Sequence, residues 1–111
     1  MRKPKNDILQ GTLVLLVLKT LSSQGRMHGY ALTNHIQRVS NDLLRVEEGS
    51  LYPALHRMEE GGLIRAKWMA KGPSRRVRIY DLTARGCEQP ATEEVRWTAV
   101  ADAVKRVVKF A

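Results

Sequence analysis

Cysteine is nearly missing from this sequence, and its scarcity closes several routes at once. Cys87 is the only one in 111 residues, so no disulfide can form within the chain and no cysteine-rich metal site can be built. Such a chain suits a reducing cytoplasm, and that is the expected compartment. Long apolar runs are missing too: the stretch from Leu13 to Leu18 falls far short of the ~20 residues that span a bilayer. Arg2, Lys3 and Lys5 precede that stretch much as in a signal peptide, but Lys19 interrupts it and no cleavage site of small residues follows. Neither a membrane segment nor an exported leader is expected. The histidines His28, His35 and His56 fall on separate elements with no carboxylates grouped beside them, so no metal is expected. Around Cys87, as elsewhere, no nucleophile, base and orienting group can be assembled, which argues against an enzyme, and no cofactor is expected. Internal repeats and low-complexity tracts are absent.

What the chain has is positive charge, unevenly placed. Lys and Arg number 19 against 11 Asp and Glu, a net charge of +8. Over residues 31–64 three cations face five carboxylates. Over residues 65–85 the balance reverses: Arg65, Lys67, Lys71, Arg75, Arg76, Arg78 and Arg85 stand against Asp81 alone. A solvated surface would spread its charge, whereas a concentrated basic stretch points to a polyanionic partner.

The apolar pattern predicts a mainly α chain. A first helix is expected from Asp7 to about Leu21, apolar nearly all round and therefore enclosed on several sides, in part by a second subunit. A second runs from His28 to Val39, with Leu32, Ile36 and Val39 on one stripe, and His28 reads as a hydrogen-bonding residue at its start. Asn41 and Asp42 break it before a short extended piece from Leu44 to Val46. A third helix takes Ser50 as its N-cap and Pro53 in its first turn, where a missing N–H costs nothing. Leu51, Ala54, Leu55 and Met58 share its inner side, and Gly61-Gly62 ends it. Residues 64–82 alternate as two strands about a turn at Lys71-Gly72-Pro73-Ser74, with Trp68 packed towards the helices. Thr83 caps a last helix that Pro90 should kink or break. Beyond Pro90, the residues Trp97, Val100, Ala101, Val104, Val107 and Val108 form an apolar seam with nothing in the same domain to cover it.

Three helices followed by a basic two-stranded wing is the order of a winged helix-turn-helix. In that arrangement the third helix enters the DNA major groove and the wing lies along phosphates or the minor groove. Base contacts discriminate, while phosphate contacts supply affinity and register. Lys71, Ser74, Arg75 and Arg76 are the phosphate or minor-groove candidates. Ser50, Tyr52, His56 and Arg57 are the groove-facing candidates, although Tyr52 could equally pack beside the hairpin. Tyr30 would meet the backbone near the start of the second helix. Glu59 and Glu60 imply that the far end of the third helix tilts away from the DNA. The domains expected are 1–86, the DNA-binding unit, and 87–111, a dimerisation helix. A winged-helix module that binds protein instead of DNA is the alternative, and the basic wing speaks against it.

The segments Leu9-Gln10-Gly11-Thr12-Leu13, His28-Gly29-Tyr30-Ala31-Leu32, Gly49-Ser50-Leu51-Tyr52-Pro53-Ala54-Leu55 and Tyr80-Asp81-Leu82-Thr83-Ala84-Arg85-Gly86 resemble the PadR-type transcriptional regulators in order and spacing, across residues 8–86. The third segment is the most specific of the four. The resemblance implies a homodimer that represses promoters by binding an inverted-repeat operator in double-stranded DNA. It also implies a last helix that packs on the partner's first helix. Leu9, Leu13, Leu16, Trp97, Val100, Ala101, Val104 and Val108 are the dimer-interface candidates. Trp97 matches a tryptophan that lines an inter-subunit ligand site in multidrug-responsive relatives, which makes it the candidate site for a small aromatic effector; dimer core is the commoner role. Pro90 departs from the apolar helix former usual at its position, which bears on the dimer angle.

Overall fold

The computed structural model describes the backbone of residues 7–111 and the side chains from residue 11 onward. Seven elements follow in order: α1 (Asp7–Gln24), β1 (Met27–His28), α2 (Gly29–Val39), α3 (Glu48–Glu60), β2 (Ile64–Ala70), β3 (Arg76–Leu82) and α4 (Ala84–Phe110). Helix α1 is enclosed as its composition requires: Leu13, Leu15, Val17, Leu18 and Leu21 are buried, and so is Thr20. It runs past Leu21 to Gln24 and ends at Gly25, which takes a left-handed φ of 83°. His28 caps α2, its Nδ1 accepting the Ala31 N–H at 3.1 Å. On α2 the expected stripe holds at Leu32 and Ile36 but fails at Val39, which is 65% exposed. The helix ends there and the chain turns away through Asn41 and Asp42, both left-handed, so nothing covers the last turn. Residues 43–47 form no strand, and Leu43 and Leu44 are exposed.

Helix α3 begins earlier than its sequence suggested. Glu47 occupies the cap without a side-chain hydrogen bond, and Ser50 lies inside the first turn, donating its backbone N–H to the Glu47 carbonyl at 3.0 Å. Pro53 therefore sits past the first turn and cannot donate to the Gly49 carbonyl. Burial of Leu51, Ala54, Leu55 and Met58 holds the helix regardless. Its far end closes by two backbone bonds, Leu63 N–H to the Met58 carbonyl (2.9 Å) and Gly62 N–H to the Glu59 carbonyl (3.1 Å).

Strands β2 and β3 form an antiparallel hairpin in register from Ile64↔Leu82 to Ala70↔Arg76. The sheet has three strands rather than the two expected, because β1 pairs with the other edge of β3 through Met27↔Tyr80 and His28↔Ile79. Two residues are too few to show alternation, so β1 leaves no pattern to read. Beyond its reach the hairpin projects as a two-stranded wing. The core gathers Val17, Leu18 and Leu21 of α1, Leu32 of α2, Leu51, Leu55 and Met58 of α3, and Ile64, Tyr80 and Leu82 of the sheet.

Thr83 caps α4, its Oγ1 accepting the Gly86 N–H at 3.0 Å and donating to the Gly62 carbonyl at 2.6 Å. Pro90 does not break this helix, which is continuous over 27 residues. One missing donor among so many intrahelical bonds is tolerated, and the proline itself is buried. At about 1.5 Å per residue the helix is roughly 40 Å long, and much of the molecule's 59 Å longest dimension follows from it. Its first half packs on α1, with Lys19 Nζ 3.2 Å from Glu94 Oε1. Its second half is largely uncovered: Trp97, Val100, Val104, Val107, Val108 and Phe110 are exposed, and Ala101 is half-buried. Among the described residues no helix is long and apolar enough to cross a membrane.

Candidate nucleic-acid interface

The pleat of the hairpin explains how a site forms beside α3. Residues of one parity, Ile64 on β2 with Tyr80 and Leu82 on β3, are buried against the helices. Carried towards the hairpin tip, the same parity presents Trp68, Ala70, Arg76 and Arg78 on the face that looks along α3. Between this face, Tyr52 of α3 and the start of α2 lies a groove of about 650 Å³, lined by His28, Gly29, Tyr30, Tyr52, Trp68, Lys71, Arg75, Arg76, Val77, Arg78 and Tyr80. Four of these residues are cations and none is a carboxylate. Gly29 makes the closeness possible, since a Cβ there would lie 2.8 Å from the Tyr52 hydroxyl. The His28 and Tyr30 rings stack beside it at 6.4 Å.

Two contacts organise the groove. Arg78 donates from Nη2 to Glu59 Oε2 at 2.8 Å, tying the wing to α3. Arg76 and Arg78 both lie over the Trp68 ring, 5.3 and 5.8 Å from its centre. Glu59 is thus already engaged by a wing cation, and Glu60 lies 3.7 Å from His56 Nε2. Tyr80, at the base of the groove, has its phenol pushed above the ordinary value by burial; nearby Arg78 pulls it back, while Tyr52 and Glu59 push it further up.

The fold brings together five of the nine residues expected to touch DNA: Tyr30, Tyr52, Lys71, Arg75 and Arg76 all line the groove. Ser50 and His56 are exposed on α3, and Ser74 is exposed in the loop at the hairpin tip, outside that lining. Arg57 is half-buried. Trp68 and Arg78 were missed. Trp68 does not pack on the helices; it is 56% exposed and in contact with arginines. Its parity placed it on the correct face, but the hairpin outruns the helices there. Of the dimer candidates, Leu9 lies outside the residues whose side chains are described. Leu13 is buried within the subunit, Leu16 is half-buried, Ala101 is half-buried, and Trp97, Val100, Val104 and Val108 are exposed. Cys87 is an exposed free thiol. Among the described residues, no group of three or more His, Cys, Asp or Glu could hold a metal ion.

A compact helical unit with a cationic wing beside a half-exposed third helix defines the class: a winged helix-turn-helix transcriptional regulator. The sequence pattern of the PadR-like family of transcriptional regulators matches residues 17–92, and the chain belongs to that family. It is a family of regulators, not of enzymes. A PadR family transcriptional regulator from Eggerthella lenta is similar at 28% identity and a TM-score of 0.75, over 95% of this chain and 88% of that one. A PadR-like transcriptional regulator from Bacillus cereus is 27% identical with a TM-score of 0.69, over 96% of this chain and 100% of its own. Bacillus subtilis PadR, solved in complex with operator DNA, shares the fold at 21% identity and a TM-score of 0.66, over 73% of this chain and 45% of that protein.

Proposed function

We propose that this chain is a cytoplasmic, dimeric repressor that binds an inverted-repeat operator. The observation that carries the reading is the carboxylate-free groove lined by Lys71, Arg75, Arg76 and Arg78 directly beside Tyr52 of α3. A relative bound to operator DNA supports the same partner. In this reading Ser50, Tyr52, His56 and Arg57 face base edges, Lys71, Ser74, Arg75 and Arg76 hold phosphates or the minor groove, and Tyr30 meets the backbone at the N-terminus of α2.

Residues 1–86 form the DNA-binding unit and residues 87–111 the dimerisation segment. The exposed seam of Trp97, Val100, Val104 and Val108 on α4 supports dimerisation, because an apolar stripe of this length is covered in a stable assembly. Two subunits would place their α3 helices about 34–36 Å apart, one turn of duplex. A small aromatic effector that binds at Trp97 and favours another subunit angle would release the DNA.

Binding of labelled duplexes by anisotropy tests the reading. Wild-type protein should bind the duplex upstream of its own gene, and Arg75→Ala/Arg76→Ala should weaken binding to every sequence. His56→Ala and Tyr52→Ala should instead change sequence preference. Wing substitutions without effect on any duplex would remove the phosphate assignment.

A further inference from the structure

Trp68 is out of place for a tryptophan in a small domain. It shares the inward row of β2 with Ile64 and Ala66, yet it stands beyond the core and is more than half exposed. Cations occupy its face: the Arg76 and Arg78 guanidinium carbons lie 5.3 and 5.8 Å from the ring centre. An indole face attracts guanidinium through its quadrupole, and Trp is the strongest of the aromatic partners. Arg76 is exposed, with no carboxylate paired to it among the described residues. Arg78 is held from its other side by Glu59, while its Nε is shielded from solvent with no hydrogen-bond partner. An exposed arginine ordinarily samples many rotamers, and ordering it against a phosphate costs entropy. The ring removes part of that freedom in advance.

We infer that Trp68 is a positioning residue of the DNA interface. Its ring seats Arg76 along the inner wall of the groove, directed at the phosphates of a duplex, while Arg78, tied to Glu59, packs against the same ring. An uncharged side chain thereby sets how many phosphates the wing neutralises. The inference rests on the DNA-binding reading above and adds to it a residue and a role. With guanidiniums already over it, the ring is a seat for cations and not a free platform for stacking an unpaired base.

The salt dependence of binding reads this directly. Each neutralised phosphate contributes about 0.9 to the slope of log affinity against log salt. The probe is a labelled 30-base-pair duplex of random sequence, titrated with the full chain at several salt concentrations. Arg76→Ala should lower the slope by about 0.9. Trp68→Ala changes no charge, yet should lower it by up to about 0.9 and weaken binding several-fold, roughly, at 0.1 M salt. Trp68→Leu, which keeps bulk without a π face, should match Trp68→Ala, while Trp68→Phe should keep most of the slope. In the Arg76→Ala background the effect of Trp68→Leu on the slope should largely vanish, because the cation that the ring directs at phosphate is gone. Circular dichroism melts confirm folding, and Trp68→Leu carries the test if Trp68→Ala does not fold. An unchanged slope in Trp68→Leu, beside a lowered slope in Arg76→Ala, overturns the inference whatever happens to affinity. Failure of the wild-type chain to bind any duplex at low salt would instead sink the DNA-binding reading, and this inference with it.

Discussion

Helices α1 and α4 both carry apolar residues in helical register and meet opposite fates. Val17 and Leu18 of α1 are fully buried, whereas Val108 of α4 is 77% exposed. Composition is part of the difference, since α1 is apolar nearly all round whereas α4 carries one apolar seam on an otherwise polar helix, and position in the fold is the rest. Helix α1 comes first in the chain, and α2, α3, β3 and the near half of α4 all pack around it. Apart from half-buried Ala101, the far half of α4 extends past the described elements that could cover it. An apolar seam is a requirement for cover, and the seam itself does not say which chain provides it.

The largest effect that can break this comparison is in the core. Leu18→Ala should cost about 2–5 kcal/mol, measured by urea denaturation, and the cost should be the same at low and high protein concentration. Val108→Ala should stay within about 0.5 kcal/mol for the isolated subunit, and any larger loss should depend on protein concentration, as a partner-supplied contact does. A Val108→Ala cost equal to that of Leu18→Ala and independent of concentration would mean that α4 is covered by its own chain after all.

Glycines on the same two helices should respond with opposite signs. A Cβ on Gly86, near the start of α4, would overlap the Leu63 carbonyl oxygen and crowd Leu82. Gly86→Ala should therefore destabilise by about 1–3 kcal/mol. Gly11 on α1 has nothing within 4 Å of such a Cβ among the described residues, so Gly11→Ala should stabilise by about 0.5–1 kcal/mol in thermal or urea melts. A loss at Gly11 would place a partner chain against that face of α1.

The smallest effect separates the groove from both helices. Burial raises the Tyr80 phenol above its ordinary 10.0, so the folded state favours the neutral form. That contribution is complete below about pH 10 and is lost as pH climbs towards the folded value. Tyr80→Phe should flatten the fall in stability above pH 10, and an unaltered alkaline limb in that variant would contradict the assignment.

Much of this architecture was readable from spacing alone. Leu51, Ala54, Leu55 and Met58 recur at helical intervals and are buried together, and Gly61-Gly62 stops α3 where glycines should. The basic stretch of residues 65–85 became the wing. Two of the failures share one cause. Val39 keeps the period of its helix but sits in a turn that nothing covers, and Trp68 keeps the parity of its strand but lies past the end of the core. Ser50 looked like a cap because its side chain can accept an N–H, yet the helix had already begun at Glu48. Strand β1 was too short to leave a pattern, and Arg78 was invisible as a groove residue until Glu59 was found opposite it.

The order of residues by itself determined roughly where the four helices and the two long strands run, where the positive charge collects, and that no disulfide within the chain can brace the fold. Periodicity and charge are local properties, written along the chain. Tertiary structure alone decided how far each covering element reaches, and therefore which apolar and cationic side chains are enclosed and which are left facing the groove. Burial depends on neighbours distant in sequence, and no local pattern records their lengths.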